Sequence, residues 1–247
     1  MKSFYRAIIL KTVIGVYCLG IQGVQPILAQ DQADGHADGF KSLFDGKTLT
    51  AWQGREGLWR IEDGVIVGET TPEKKISQNE FLVWQGGEAD DFILKVKFRV
   101  SGSNQANSGI QFRSQQQPDG RMAGYQADID ASGRYVGILY SEGTGRGILC
   151  ERGNKVTIAS DKSIATETVT DSAELLKQID LEGWNEMEVE ARGNHLVVKI
   201  NGQVTSTVVD NHPELAATSG LIGFQLHVGP PMKIEFKDIF LKQLGEK

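Results

Sequence analysis

Between residues 92 and 100 one apolar set, Phe92, Leu94, Val96, Phe98 and Val100, alternates with Ile93, Lys95, Lys97 and Arg99. Successive side chains of a strand point to opposite faces, so a period of two gathers the five apolar residues on one side; a helix would scatter them. A half-buried strand of this length needs partners on both edges and a second layer over its apolar face. Turn signals supply those partners. Asp63-Gly64 separates the strand-like runs 59–62 and 65–68, and Asn201-Gly202 separates 195–200 from 203–209. Both dipeptides tolerate the positive φ of a two-residue hairpin turn. Ile234, Phe236, Ile239 and Leu241 predict a closing strand with a bend near Lys237-Asp238. The one expected helix is short, near Ser172 to Gln178. Many strands punctuated by turns predict an all-β sandwich or barrel.

The N-terminus is of another kind. Lys2, Arg6 and Lys11 accompany an apolar run that ends at Pro26-Ile27-Leu28-Ala29. That charged, apolar, small-residue order predicts a secretory signal peptide over 1–29 and a periplasmic or secreted protein. Lys11 and Gln22 interrupt the run, which is short for the ~20 residues of a membrane span. No stable membrane anchor is expected after cleavage. Cys18 follows the bulky Tyr17 and is read as part of the signal peptide rather than a lipidation site. Residues 30–39, which include His36, are polar and aperiodic and read as a flexible leader. The domain is then expected over 40–244.

Removing Lys2, Arg6 and Lys11 takes the net charge from −6 to −9. This acidity argues against nucleic acid and anionic membranes, which reward clustered Lys and Arg. Cys150 is the one cysteine after residue 29, so no internal disulfide is expected and the core must supply stability.

Alternation also identifies the side chains that leave the core. Ile110 and Phe112 face inward, which turns Gln111 and Arg113 outward. Ala127 and Ile129 do the same for Gln126, Asp128 and Asp130, and Phe224, Leu226 and Val228 for Gln225 and His227. Each set alone is ordinary for the wet side of an antiparallel strand. Together, amide, guanidinium, carboxylate and imidazole suit the paired donors and acceptors of sugar hydroxyls. Tyr140 and Glu142 add an aromatic platform and a carboxylate, and the loop Gly143 to Gly147 with Arg146 could line a cleft. Tyr140 fits a core position equally well, and the four tryptophans are more readily explained as core. No Glu-x-Asp-x-x-Glu strand, Gly-x-Ser-x-Gly elbow, His-Glu-x-x-His helix or phosphate loop is present.

Eight short segments in register resemble one family, the 3-keto-disaccharide hydrolase domain, also numbered as domain of unknown function 1080. They include Phe40-Lys-Ser-Leu-Phe-Asp-Gly, Trp59-Arg-Ile-Glu-Asp-Gly, Asn107-Ser-Gly-Ile-Gln-Phe-Arg, Gly124-Tyr-Gln-Ala-Asp-Ile, Gly183-Trp-Asn-Glu and Gly220-Leu-Ile-Gly-Phe-Gln-Leu-His. The resemblance implies a concanavalin A-like jelly roll of two curved antiparallel sheets with carbohydrate on the concave face. Many members carry Gly-Tyr-Glu-x-Gln where this chain has Gly124-Tyr-Gln-Ala-Asp, so carboxylate and amide are exchanged between 126 and 128.

The chemistry implied by the resemblance is cleavage of a 3-keto-glycoside. The ketone acidifies the C2 hydrogen, a base removes it, the C1 substituent leaves by elimination, and water adds back. That route needs a base, a proton donor and an enolate stabiliser, not the carboxylate pair of common glycosidases. On this reading Asp128 is the base, and His227 is the proton donor or the alternative base. Arg113 or a bound divalent cation holds the enolate oxygen. No cofactor is required, but Asp128, Asp130 and His227 are ligand types that would accept a cation. Asn107, Gln111, Gln126, Asp130, Tyr140, Glu142 and Gln225 are the expected substrate contacts, the partner being an oxidised disaccharide or glycoside. A carbohydrate-binding module without catalysis, or a structural surface protein, remains the alternative.

Overall fold

The structure is a computed structural model and describes residues 38–245. The expected signal peptide, Cys18, His36 and the leader up to residue 37 lie outside the described residues. Among those described, seventeen strands accompany one five-residue helix. The first strands are β1 (Lys41–Ser42), β2 (Trp52–Gln53), β3 (Trp59–Glu62), β4 (Val65–Thr70), β5 (Glu80–Trp84) and β6 (Phe92–Gly102). Then follow β7 (Asn107–Gln116), β8 (Met122–Asp130), β9 (Leu139–Glu142), β10 (Gly147–Cys150), β11 (Asn154–Ile158) and β12 (Ile164–Thr168). After α1 (Ser172–Leu176) come β13 (Asn185–Arg192), β14 (His195–Ile200), β15 (Gln203–Asp210), β16 (Leu221–Leu226) and β17 (Met232–Gln243).

They form two sheets. The ten-stranded sheet runs β12-β11-β15-β14-β13-β6-β17-β4-β3, with β1 also on β17; the seven-stranded sheet runs β10-β9-β8-β7-β16-β5-β2. Pairing is antiparallel except between β11 and β15. The expected concanavalin A-like sandwich is what the chain forms.

Local rules explain the elements. In β6 the five apolar residues of the alternating set are buried and the residues between them half-exposed. Asp63 and Gly64 take φ of 48° and 77°, and Asn201 and Gly202 take 49° and 79°, as two-residue hairpins demand. The expected bend in the last strand is a register shift after Lys237, with Asp238 at φ 50°. The helix is shorter than its sequence suggested; the Asp171 side chain caps it by accepting from Ala173 N at 2.7 Å.

The sheets join through aromatic stacking. The Phe224 ring of β16 lies 4.0 Å from that of Phe236 on β17, and Trp52 stacks on Phe224 at 4.8 Å. Trp52, Trp59 and Trp84 are buried, which agrees with reading them as core. Trp184 lies half-buried between the Arg99 guanidinium at 5.0 Å and the Lys237 ammonium at 4.1 Å.

Candidate active site

Cross-strand register brings most of the expected polar residues, Arg113 apart, to the outer face of the smaller sheet. Asn107 pairs with Asp130, Gly109 with Asp128 and Gln111 with Gln126 between β7 and β8. Tyr140 on β9 pairs with Gln126, and Glu142 with Gly124. Gly223 pairs with Gln111 on the other side, which aligns Gln225 beside Gly109 and carries His227 to the strand end.

A cavity of about 280 Å³ opens on this face. Gln126, Asp128, Tyr140 and Glu142 line it together with Asn107, His227, Tyr135, Ile138 and Ile148. A second hollow of about 270 Å³ adjoins it, walled by residues 104–106, Asp130 and Ser132. Asn107, Tyr135 and His227 line both, so the site is a cleft of two lobes. Two larger hollows, of about 500 and 490 Å³, lie elsewhere, but their carboxylates are already engaged. Asp45 accepts from Lys47 N and Thr48 N, Asp91 from Arg113 and Gly193 N, and Glu190 from Arg192.

Asp128 is the most perturbed acid of the cleft. Burial pushes its carboxyl well above the ordinary range, and the charges of Asp130 and Glu142 add to the rise. Two bonds oppose them, the larger from Asn107 Nδ2 to Asp128 Oδ1 at 2.9 Å and the smaller from the backbone of Ile129. The Tyr140 hydroxyl is also raised, first by burial and then by Glu142 and Asp128, so it stays a proton-bearing donor. His227 is half-buried and makes no hydrogen bond or ion pair with the described residues. Glu142 Oε1 accepts from Asn79 Nδ2 at 3.2 Å, and Asn79 Oδ1 accepts from Val228 N at 2.9 Å. Asn79 thus ties the ends of β9 and β16 across the cleft.

The three glutamines are more deeply buried than a solvated face allows. Gln111 and Gln225 are 0% exposed and Gln126 2%. Gln111 Nε2 donates to Gln126 Oε1 at 2.6 Å, while both amide ends of Gln225 are buried with no partner among the described residues. Gln126 reaches the cleft; Gln111 and Gln225 lie beneath its floor.

Gln111 and Gln225, expected as substrate contacts, are thus too deeply buried to reach a ligand in the cleft, and three further expectations need correction. Arg113 does not face the cleft. Its side chain is 0% exposed and donates to the carbonyls of Asp90, Gly193 and Ala217 and to Asp91 Oδ1. A bulge explains this: β7 shifts register between Phe112 and Gln115, Arg113 takes φ 45°, and alternation fails there. Arg146 is likewise turned away, paired through both terminal nitrogens with Asp210 at 2.8 and 3.0 Å. Asp130 is spent on a turn: its oxygens accept from Ser132 N at 2.6 Å, Ser132 Oγ at 2.6 and 2.8 Å, and Tyr135 N at 3.2 Å. Asp128, Asp130 and His227 therefore do not form a cation site, and no group of three or more His, Cys, Asp or Glu among the described residues could hold a metal ion.

Sequence reasoning missed Tyr135, Ile138, Ile148 and Asn79. Tyr135 is 41% and Ile148 39% exposed, and nothing in an aromatic or isoleucine beside turn glycines separates such a wall from a core position.

Residues 39–242 match the family described as the 3-keto-alpha-glucoside-1,2-lyase-like domain. No curated protein matches the chain. Among solved structures, a provisionally assigned glycosyl hydrolase from Parabacteroides distasonis aligns with a TM-score of 0.56 at 22% identity, covering 85% of this chain and 95% of that one. The carbohydrate-binding module CBM66 from Bacillus subtilis gives 0.53 at 15%, with coverage of 80% and 98%. A Bacillus subtilis protein of unknown function and galectin-like fold gives 0.51 at 13%, with 81% and 92%. These likenesses show the fold. The match across nearly all the described residues shows more: the chain belongs to the 3-keto-alpha-glucoside-1,2-lyase-like domain family.

Proposed function

We propose that this protein cleaves 3-keto-glycosides outside the cytoplasm, with Asp128 as the base. The observation that carries the reading is a buried carboxylate of raised pKa, bonded by the Asn107 side chain in a cleft that also offers an unengaged imidazole and a protonated phenol. A carboxylate of ordinary pKa is a weak base for a carbon acid; raising it narrows the mismatch with the C2 hydrogen of a 3-keto sugar. Asp128 takes that proton, and the C2–H electron pair passes through the enolate at C3. As the enolate collapses, C1=C2 forms and the C1–O bond breaks, the departing oxygen taking a proton from His227. Water then adds at C1 and Asp128 returns its proton to C2. If the product leaves before water adds, the enzyme is a lyase; if after, a hydrolase.

The two lobes suit this division. Each is near the ~300 Å³ lower bound of ligand pockets, a size for one ring rather than a chain. The oxidised ring belongs beside Asp128, and the C1 substituent lies past Tyr135 in the lobe of Asn104 and Ser132. His227, lining both, stands at the bond to be broken.

Binding without turnover is the second reading, supported by the likeness in fold to the carbohydrate-binding module. It gives no use for a buried carboxylate at a raised pKa. Incubating the purified protein with a 3-keto-glucoside and following products by NMR, with and without divalent cations, separates the two. Product formation above the buffer rate is expected; its absence in both conditions overturns the enzymatic reading.

A further inference from the structure

With Arg113 outside the cleft the enolate oxygen needs another donor, and beside the Tyr140 hydroxyl a chain of buried side chains that ends at Gln126 offers one. Ser114 Oγ donates to Gln111 Oε1 at 2.7 Å, and Gln111 Nε2 donates to Gln126 Oε1 at 2.6 Å. Each amide oxygen in this chain accepts a hydrogen bond, so the end of Gln126 left over is its NH₂ group. Gln126 Nε2 makes no hydrogen bond with the described residues, and Gln126 lines the lobe that holds Asp128. Its surroundings favour that orientation. Asp128 and Glu142 are acceptors, so an amide oxygen turned outward would face like partial charge.

We propose that Gln126 is the oxyanion donor of the site, giving its outward N–H to the C3 oxygen as negative charge develops there; this rests on the 3-keto-glycoside reading. Gln126 and Asp128 are two residues apart on one face of β8, roughly 6.5–7 Å between Cα atoms. That spacing lets a base act on C2 while a donor meets the adjacent C3 oxygen of the same ring. Gln111 and Ser114 are positioning residues. Gly109 completes the arrangement: a Cβ there would lie 2.5 Å from Cγ and Cδ of Gln126, so the absence of a side chain lets the amide cross the floor.

The test compares wild type, Q126E and Q126L on a 3-keto-glucoside. Q126E keeps the acceptor that Gln111 needs and puts a titratable carboxyl where the outward NH₂ stood; Q126L removes donor and acceptor alike, and circular dichroism checks its fold. Loss of one preorganised donor is expected to lower kcat by on the order of 10²–10³-fold, with KM changed far less. Wild-type kcat in a folded Q126L overturns the assignment, because the reaction would then need no donor at this position. If the wild type binds the 3-keto-glucoside without converting it, the enzymatic reading fails by itself. The Gln126 contact is then decided by affinity: at least tenfold weaker binding in Q126L sustains it, and equal binding refutes it.

Discussion

Asp128 is charged at a cost to the fold, and the sign of that cost can be measured. Its folded pKa lies above its unfolded value because burial and the neighbouring carboxylates disfavour the anion. Between the two values the folded state holds a proton that the unfolded chain has released. Stability therefore falls as pH rises through that window and stays reduced above it. Asp128→Asn removes the titration and keeps an oxygen to accept from Asn107. It is expected to raise the thermal midpoint at pH 8, with the gain shrinking towards pH 4, while turnover falls by about 10²–10⁴-fold. A midpoint at pH 8 equal to or below that of the wild type would contradict the account. The same ionisation sets the activity profile: kcat/KM is expected to climb with pH through a value above the usual carboxylate range, and a flat profile from pH 4 to 8 would remove Asp128 as base.

At the scale of elements, most of the cleft was legible because the period of two along β8 places Gln126 and Asp128 on one face, and the same period in β16 carries on to His227 just past its end. Arg113 was misread because alternation holds only while register does. The register of β7 shifts against both β8 and β16 near Arg113. The glycines that admit this bulge were in view: a Cβ on Gly124 would meet Ser114 Cα at 2.6 Å, and one on Gly220 would meet the Arg113 carbonyl carbon at 2.6 Å. Their pairing with β7 was not, since partners distant in sequence cannot be read from one chain. Arg146 shows the same limit, its partner Asp210 lying on β15 of the other sheet. Asp210 also accepts from Tyr125 Oη at 2.6 Å, which ties β8, β15 and the loop after β9 together. Burial would raise Asp210, but bonds from Arg146, Tyr125 and His212 N outweigh it and hold the carboxyl below its usual range. Its contribution is thus present above the unfolded pKa and lost as pH falls through the lower folded value. Asp210→Ala leaves Arg146, 10% exposed, without its carboxylate, and is expected to cost about 3–5 kcal/mol in urea unfolding at pH 7. A loss below about 1 kcal/mol would mean that the pair is dispensable.

For the molecule as a whole, the division of labour between sheets follows from their outer faces. The larger sheet turns out a lattice of paired charges, with Glu188 between Lys95 at 3.4 Å and Lys199 at 2.7 Å, and Glu235 between Arg99 at 2.7 Å and Lys233 at 3.2 Å. Glu235 is buried and Glu188 half-buried in these pairs, so their charges are already met and offer a ligand no unmet group. The smaller sheet carries the unmet groups and is correspondingly dependent on what lies behind it. Phe224 is central to that support: it is fully buried, stacks on Phe236 of the opposite sheet and on Trp52, and sits next to Gln225 on the strand that delivers His227. Phe224→Ala should leave a cavity between the sheets and cost about 3–5 kcal/mol, measured as a lower urea midpoint at unchanged slope. Because no cleft residue is altered, the folded fraction should still bind the 3-keto sugar, with turnover reduced by the shift of β16. A loss under about 1 kcal/mol would show that the sheets are held together elsewhere, and that the cleft does not draw its rigidity from this aromatic stack.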